Sequence, residues 1–203
     1  MAFDDDRPVP APVPAEHAVL GTPLTGPWPE GTQVIYLALG CFWGAEKAFW
    51  ETPGIVATAA GYAGGHTPHP TYEEVCTGRT GHAETVLVAY DPDRISTEQV
   101  LQVFWERHDP TQGNRQGNDL GTQYRSAVYW TTPEQETVYW STREAYQGSL
   151  RRHHFGDITT EGRPAGPFFI AEEYHQQYLH REKNGYCPDH GTGVSCRIPP
   201  RPR

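Results

Sequence analysis

From residue 33 onward, short apolar runs alternate with stretches of helical spacing. Residues 33–39 and 83–90 are apolar runs that are typical of buried strands. Residues 42–51 contain Ala, Glu, Lys and Phe and no proline, which favours a helix, and the small and β-branched residues 55–63 predict another strand. This part of the chain therefore predicts strands with a helix between the first two.

Polar residues mark the starts of three further helices. Thr71 precedes a short predicted helix, and residues 96–99 form a capping-box pattern, Ser-Thr-Glu-Gln, before apolar residues at helical spacing. Residues 132–135 form a second capping-box pattern with Pro133 at the first helical position. This pattern predicts a helix through about residue 147.

The remaining segments are less regular. Residues 111–123 are predicted to form a long polar loop, and residues 124–130 a strand. Short strands are predicted at residues 157–160 and 168–171, and a short helix at residues 172–181.

The order of these elements contains no repeat and no signal of a second domain. It predicts an α/β (α+β) fold in which helices pack on one mixed sheet as a two-layer sandwich. We divide the chain into a Pro-rich N-terminal arm at residues 1–32, an α/β domain with the candidate chemistry at 33–183, and a long irregular, flexible tail at 184–203 that carries two cysteines.

Composition argues against several functional classes. The 203 residues have a formal net charge of −9, which disfavours nonspecific binding to nucleic acid. No apolar run approaches the ~20 residues of a membrane span, and the acidic run Asp4, Asp5 and Asp6 does not fit a secretory signal. We therefore expect a cytoplasmic monomer whose cysteines are reduced.

The strongest candidate for chemistry is Cys41, which lies in the turn between the first predicted strand and helix. Unpaired N–H groups and the positive end of the helix dipole favour negative charge at such a position. We therefore predict a reactive thiol that ionises near neutral pH. The alternative is a buried and inert cysteine, the commoner fate of a free thiol.

The other three cysteines have different surroundings. Cys76 ends a short predicted helix, and we predict that it is buried and structural. Cys187 and Cys196 flank a glycine-rich segment that contains His190. A zinc site would favour closer paired spacing, and a static disulfide is unusual in a cytosolic chain. The third interpretation is a redox relay in which these thiols resolve an oxidised Cys41.

Four further polar residues are candidates for the same chemistry. Glu84 begins an otherwise apolar strand, where burial would raise its pKa and let it donate a proton near pH 7; an exposed strand end is the alternative. Tyr62 and Tyr124 stand beside glycine-bearing loops, either to donate O–H to an oxyanion or simply to pack. Asp119 lies in the polar loop, where an Asx turn would explain it equally well. The histidines predicted to be structural or exposed rather than catalytic are His82 and His175.

A series of motifs between residues 34 and 196 resembles the A-class, S-epimer-specific peptide methionine sulfoxide reductases. The motifs are GCFWGAE at 40–46, GYAGG at 61–65, YEEVCTG at 72–78, GHAE at 81–84, HDPTQ at 108–112, NRQGNDLGTQYRS at 114–126 and YHQQYL at 174–179. Together and in this order they cover nearly the whole folded part of the chain.

The resemblance implies a role for each candidate. Cys41 is implied as the nucleophile that attacks the sulfoxide sulfur, Glu84 as the proton donor, and the hydroxyls of Tyr62 and Tyr124 as the groups that bind the oxygen. Asp119 is implied to hold the substrate or the geometry near Tyr124. The side chains implied as an apolar pocket for the S-methyl group are Phe42 and Trp43.

The resemblance also implies a recycling route. Cys187 would resolve the sulfenic acid on Cys41, and Cys196 would then form with Cys187 a disulfide that thioredoxin reduces. The implied substrates are methionine S-sulfoxides, in proteins and as the free amino acid. No metal, flavin or nicotinamide cofactor is implied, and the implied fold is a ferredoxin-like α/β sandwich.

Two other classes of function remain as alternatives. The first is a different thiol-redox enzyme, such as a peroxidase or a disulfide exchanger, although the aromatic pair after Cys41 favours an S-methyl substrate over peroxide. The second is a non-catalytic zinc-binding or redox-sensing module that uses Cys187, His190 and Cys196.

Overall fold

The computed structural model of the chain describes residues 13–186 and 190–196. Its strands are β1 (Gln33–Leu39), β2 (Ile55–Ala63), β3 (Ala83–Tyr90), β4 (Arg115–Gln116), β5 (Asp119–Leu120), β6 (Ser126–Trp130), β7 (Glu161–Pro164) and β8 (Phe168–Ile170). Its α-helices are α1 (Phe42–Trp50), α2 (Tyr72–Cys76), α3 (Thr97–Glu106), α4 (Pro133–Arg152) and α5 (Tyr178–Arg181), and single 3-10 turns form at Thr122–Tyr124 and Glu173–His175. Among the described residues, no helix combines the length and apolarity that crossing a membrane requires.

Six of the strands form one sheet in the order β7-β6-β1-β3-β2-β8. β6 and β7 run parallel, whereas the other neighbouring pairs are antiparallel. The mixed sheet with its helices confirms the predicted α/β class. The inner strands β6-β1-β3-β2 are the ones that alternate with α1 and α3 along the chain, and the ferredoxin-like description of this core stays a prediction.

The helices cover one face of the sheet. Because successive side chains of a strand point to opposite faces, Ile35 and Leu37 of β1 both point to this side, and both are fully buried. They belong to one apolar cluster with Phe49 of α1, Trp105 of α3 and Tyr139 of α4. The helical layer and this sheet face thus share the main core.

The opposite face of the sheet is covered by the described part of the N-terminal arm. Leu24 is fully buried in a second cluster with small residues of β2 and β3, including Ala59. His17, in contrast, is buried on the helical side of the sheet, where its Nε2 lies 2.7 Å from the hydroxyl of Thr58 on β2 and its ring packs edge-on against Trp50 of α1. Residues 13–32 therefore pack against the domain that they precede.

Side-chain caps begin the predicted helices. Ser96 closes a reciprocal capping box, as predicted, and Thr71, which was predicted only to begin its helix, closes a full capping box with Glu74 as well. At the start of α4, Thr132 accepts from the N–H of Gln135, but the Gln135 side chain accepts from the N–H of Thr131 instead of returning to Thr132. The third helix start is confirmed, and only half of its predicted box forms.

The later elements differ from the prediction in three places. α4 continues to Arg152 because Leu150, in its last turn, is fully buried in the core. Residues 157–160 form no strand, and β7 follows them to pair with the edge strand β6. Residues 172–181 are not one helix, since Gln177 adopts a left-handed conformation with φ of 45°.

The long polar loop is more structured than its composition indicates. β4 and β5 pair as a short hairpin within residues 111–123. The 3-10 turn that follows contains Tyr124, so this residue precedes β6 instead of starting it. The loop thereby holds Asp119 and Tyr124 on ordered backbone.

Candidate active site

Cys41 lies where β1 ends and α1 begins, as the sequence predicts. It is the N-cap residue of α1, and its side chain is half-buried. The preceding residue, Gly40, has φ of 98°, and a Cβ there would lie 2.8 Å from side-chain carbons of Gln116. Because both the backbone conformation and the space require glycine, the turn that presents the thiol is tightly specified.

The free thiol of Cys41 is held in its protonated form. Burial raises its pKa well above the ordinary value, and the carboxylates of Glu84 and Asp119 act in the same direction. The backbone N–H groups of Trp43 and Gly44 lower the pKa, but their effect does not overcome desolvation. The prediction of a thiolate near neutral pH is therefore wrong for the protein without a ligand, because desolvation outweighs the helix N-terminus.

Glu84 is buried directly beside this turn. Its side chain is 2% exposed, and Oε2 accepts the N–H of Phe42, the residue after Cys41, at 3.0 Å. Burial raises the pKa of Glu84 to about 8; the Phe42 hydrogen bond opposes this rise and the charge of Asp119 adds to it. The carboxyl group thus holds its proton at neutral pH, as the interpretation of a proton donor requires, and the alternative of an exposed strand end is wrong.

Tyr62 is committed to a different partner. It is fully buried, and its hydroxyl donates to Oε2 of Glu172 at 2.7 Å. Oε1 of the same carboxylate accepts the N–H of Tyr72 at 2.8 Å. Tyr62 therefore takes part in a link between β2, the start of α2 and the segment before α5.

Two phenols share the electrostatic environment of Glu84. Burial raises the pKa of Tyr124, and Glu84, Asp119 and Cys41 are among the groups that raise it further. Burial also raises the pKa of Tyr72, again with contributions from Glu84 and Tyr124. Both side chains are half-buried. Tyr72 opens the YEEVCTG motif, but a tyrosine at a helix start carries no chemical signal of its own, so the sequence does not single it out.

Asp119 provides an unused acceptor. Its Oδ1 accepts the hydroxyl of Tyr186 at 3.3 Å. Its Oδ2 is buried and has no hydrogen-bond partner among the described residues. A buried carboxylate oxygen without a donor is suited to accept one from a ligand.

An aromatic wall, formed by Trp43, His175 and Tyr178, borders the start of α1. The rings of Trp43 and Tyr178 stack with 4.0 Å between centroids and 21° between planes. The indole Nε1–H of Trp43 donates to Nδ1 of His175 at 3.1 Å. Phe42 is buried against His175, with 4.8 Å between ring centroids. Of the two aromatic residues after Cys41, Trp43 is therefore half-buried and partly accessible, whereas Phe42 is almost fully buried.

His175 is a neutral member of this wall. Burial lowers its pKa to about 4, although the carboxylate of Glu172 opposes this shift. Since Nδ1 accepts from Trp43, the ring proton lies on Nε2, which is 3.9 Å from Oε2 of Glu172. The histidine thus orients Trp43 and, as predicted, has no place for acid–base chemistry at neutral pH.

The remaining cysteines are arranged differently from the prediction. Cys76 is exposed at the end of α2, so its assignment as a buried structural residue is wrong.

Cys196 is 2% exposed, and its N–H donates to Oε1 of Glu106 at 2.7 Å. Burial raises the pKa of its thiol to about 12. Cys187 lies outside the described residues. Within residues 13–186 and 190–196, no three His, Cys, Asp or Glu side chains group closely enough to hold a metal ion.

The sequence and the fold are similar to those of known methionine sulfoxide reductases. The family model described as "Peptide methionine sulfoxide reductase" matches residues 33–194. Proteins named "Peptide methionine sulfoxide reductase MsrA" from Rhodospirillum centenum and Salinispora arenicola are each 58% identical, over 95% of this chain and 88% of the relative. The structure of "Methionine sulfoxide reductase A of Corynebacterium diphtheriae" is 49% identical, with a TM-score of 0.78 over 98% of each chain.

A more distant solved structure has the same fold. Mxr1 from Saccharomyces cerevisiae in reduced form is 36% identical, with a TM-score of 0.71 over 80% of this chain and 93% of its own. The residues that the family model matches, 33–194, include the strand-turn-helix unit of Cys41 and all eight strands. The chain therefore belongs to the peptide methionine sulfoxide reductase family, among the members named MsrA, and is an oxidoreductase that acts on methionine sulfoxide.

Proposed function

We propose that the enzyme reduces the S epimer of methionine sulfoxide, in proteins and as the free amino acid, through a sulfenic acid on Cys41. The observation that carries this proposal is the contact of the Glu84 carboxyl group with the N–H of Phe42, at 3.0 Å and one residue from the thiol. This contact supports the assignment of Glu84 as the acid, because it brings a protonated carboxyl group next to the residue that follows Cys41, and Trp43 of the aromatic wall is the residue after that. The epimer rests on the family resemblance.

In the first step, Sγ of Cys41 attacks the sulfoxide sulfur as the sulfoxide oxygen takes the proton of Glu84. The thiol proton of Cys41 is transferred to the Glu84 carboxylate in the same step, which restores the carboxyl group. The hydroxyl then moves to Sγ as the new sulfur–sulfur bond breaks, so that methionine leaves and Cys41 becomes a sulfenic acid. The thiol is oxidised by two electrons and the sulfoxide is reduced by two.

A thiol that is protonated at rest is compatible with this step, because the Cys41 proton is transferred only after the substrate has bound. Because burial and Glu84 raise the pKa of Cys41, ionisation is unfavourable until the substrate oxygen provides a proton acceptor. The hydroxyls of Tyr124 and Tyr72 are our candidates to bind that oxygen. Tyr62, the other phenol implied by the family resemblance, uses its hydroxyl on Glu172 and is assigned a supporting role.

The pocket residues fit a methionine side chain. Trp43 presents the accessible part of the aromatic wall to the S-methyl group, with Phe42 as its buried base. We assign the unused Oδ2 of Asp119 as the acceptor for an N–H of the substrate backbone, because it is buried and has no other donor among the described residues. These contacts would serve both a peptide and the free amino acid.

Recycling is proposed to proceed by thiol exchange. The Cys187 thiol attacks the sulfenic sulfur of Cys41, which releases water and forms a disulfide between the two. Cys196 then attacks Cys187, which frees Cys41 as a thiol, and a thioredoxin dithiol reduces the resulting Cys187–Cys196 disulfide. Because Cys196 is 2% exposed, this step requires it to leave its position beside Glu106.

The electron donor is proposed from the family. The yeast relative Mxr1 has also been solved in complex with Trx2. We propose a thioredoxin as the donor here, and a monomer in the cytoplasm as the working form, because thioredoxin-dependent recycling needs a compartment that keeps thiols reduced. Bound metal, flavin or nicotinamide has no step in this cycle.

The test of the proposed activity uses the two epimers separately. Purified enzyme with dithiothreitol should reduce a methionine-S-sulfoxide peptide and free methionine S-sulfoxide, but not the R epimers. Cys41→Ser should lower the rate by roughly a thousandfold or more, whereas the matched Cys76→Ser variant should stay close to wild type. Faster reduction of hydrogen peroxide than of the S-sulfoxide would replace the proposal with a peroxidase.

The relay is tested by its first resolving thiol. Cys187→Ser should complete one turnover of methionine release and then stall with thioredoxin, as sulfenic acid accumulates on Cys41. Trapping with a dimedone probe and mass spectrometry would locate that acid. A steady-state rate with thioredoxin that is unaffected by Cys187→Ser would contradict the relay order.

A further inference from the structure

A second buried glutamate, Glu46, lies on α1 and has no role in the cycle above. It is fully buried, three residues after Trp43. Its carboxylate accepts three hydrogen bonds: from the hydroxyl of Thr58 at 3.0 Å, from the backbone N–H of Gln177 at 2.9 Å and from the side-chain amide of Gln177 at 2.7 Å. A buried carboxylate with this many donors is a fixed acceptor, so its partners are held in place by it.

Two of the three donors come from a strained residue. Gln177 has φ of 45° and ψ of 41°, a left-handed conformation that residues with a Cβ rarely adopt. It separates the 3-10 turn Glu173–His175 from α5. Such a conformation persists only where surrounding contacts impose it, and the bonds to Glu46 are of that kind.

The turn at Gln177 positions the aromatic wall. His175, two residues before it, accepts the indole N–H of Trp43, and Tyr178, the next residue, stacks on the Trp43 ring. Trp43 itself belongs to the same helix as Glu46. One helix thus carries both the pocket side chain and the carboxylate that holds the partners of that side chain.

We propose that Glu46 is a positioning residue for the substrate pocket. Its carboxylate holds the left-handed turn at Gln177, and the turn keeps His175 and Tyr178 against Trp43. This proposal rests on the proposed function in one respect, namely that Trp43 contacts the substrate. Loss of the carboxylate should then weaken substrate binding more than it slows the chemistry at Cys41.

Glu46 is also connected to the N-terminal arm, through hydrogen bonds that do not involve the aromatic wall. These bonds allow a loss of stability to be distinguished from a loss of substrate binding. The N–H of Ala18 donates to the side-chain oxygen of Gln177 at 3.2 Å, and the ring of His17 contacts Thr58 at 2.7 Å. Thr58 therefore joins Glu46 to the N-terminal arm and not to the aromatic wall. Thr58→Val removes one donor to Glu46 and leaves both bonds with Gln177.

The kinetic test compares Glu46→Gln with Thr58→Val, with dithiothreitol as reductant and a methionine-S-sulfoxide peptide as substrate. Glu46→Gln places an amide against the two N–H donors of Gln177, and KM should rise about tenfold while kcat changes less than about threefold. Thr58→Val should lower the melting temperature and leave KM within about twofold. An unchanged KM in Glu46→Gln, or an equal rise in Thr58→Val, would overturn the proposal.

A swapped pair tests the specific contact. Gln177→Glu alone sets the carboxylates of residues 46 and 177 against each other. The double variant Glu46→Gln with Gln177→Glu again pairs one side-chain amide with one carboxylate, in exchanged positions. The double variant should recover most of the loss in KM. A double variant that folds but is as impaired as the worse single variant would count against the proposal.

A spectroscopic test does not depend on activity. The six tryptophans give up to six indole N–H peaks in a ¹H–¹⁵N spectrum, and Trp43→Phe identifies the one from Trp43. This peak should shift in Glu46→Gln and stay in place in Thr58→Val. If Glu46→Gln does not fold, Gln177→Met carries the same expectations for the peak and for KM. This variant keeps the backbone bond to Glu46 and loses the side-chain donor to Glu46 together with the acceptor of the Ala18 N–H. A peak that stays in place would refute the positioning role even if the enzyme reduces the S epimer.

Discussion

Glu84 lies beside the start of α1 and Glu46 lies on α1. Both glutamates are buried, and they differ in the number of hydrogen bonds that their carboxyl groups accept. Glu84 accepts the N–H of Phe42 alone among the described residues, whereas Glu46 accepts three hydrogen bonds. Burial raises the pKa of both, to about 8 for Glu84 and about 7 for Glu46. Burial by itself therefore does not distinguish a proton donor from a structural acceptor.

A nearby charge and the number of hydrogen bonds explain why the two glutamates are assigned different roles. The charge of Asp119 raises the pKa of Glu84 further, so the proton is retained close to the thiol of Cys41. The bonds from Gln177 and Thr58 lower the pKa of Glu46 and use its oxygens as acceptors. A buried carboxyl group with few donors is suited to give up a proton to a substrate, and one with many donors is suited to hold structure.

The largest expected difference between the two glutamates is in the first chemical step. Glu84→Gln should slow sulfenic-acid formation by roughly 10²- to 10⁴-fold, because an amide supplies no acidic proton. Glu46→Gln, the matched control, should slow the same step less than about threefold at saturating substrate. Single-turnover release of methionine measures both. Equal losses in the two variants would remove the distinction.

The pH profile sharpens the assignment of the acid. In the wild type, the rate of sulfenic-acid formation at saturating substrate should fall as the pH rises above about 8, up to about tenfold per unit, because Glu84 loses its proton there. Glu46→Gln should keep this fall, and Glu84→Gln should lose it. A fall that persists in Glu84→Gln would place the acid elsewhere.

The phenols provide a smaller contrast. Tyr124→Phe and Tyr72→Phe should each lower kcat by roughly tenfold, since each removes one of two hydroxyls offered to the sulfoxide oxygen. Tyr62→Phe should change kcat less than about threefold and lower stability instead, because its hydroxyl serves Glu172. A larger kinetic loss in Tyr62→Phe than in Tyr72→Phe would restore the role that the family resemblance implies for Tyr62.

The remaining expected effect is on the dependence of stability on pH. Because the pKa of Glu84 is raised in the folded state, the unfolded chain loses this proton first as the pH rises from about 4.5 to about 8. The stability of the wild type relative to Glu84→Gln should therefore fall across this window, by at most about 1.4 kcal/mol per pH unit. Urea denaturation of both variants in parallel measures the difference, and the buried histidines cancel in it. A constant difference would contradict the raised pKa.

Local patterns in the sequence predicted the parts of the fold that local physics controls. The glycine turn before Cys41, the helix start at Thr71 and the capping box at Ser96 appear as predicted, because each depends on residues a few positions apart. The break at Gln177 was not predicted, because its left-handed conformation depends on Glu46, which is 131 positions away. The proposal that Tyr72 and not Tyr62 binds the sulfoxide oxygen likewise depends on Glu172, which accepts the Tyr62 hydroxyl and is distant from both tyrosines in the chain.

The amino-acid sequence by itself determined the α/β class, because strand-turn-helix periodicity is a local signal, and its motifs singled out Cys41 and Glu84 as candidates for the proposed nucleophile and acid. Only the tertiary structure decided that the Cys41 thiol is protonated at rest, that Cys76 is exposed and that Cys196 is buried. These properties follow from desolvation and from charges on other strands and loops, and long-range packing sets both.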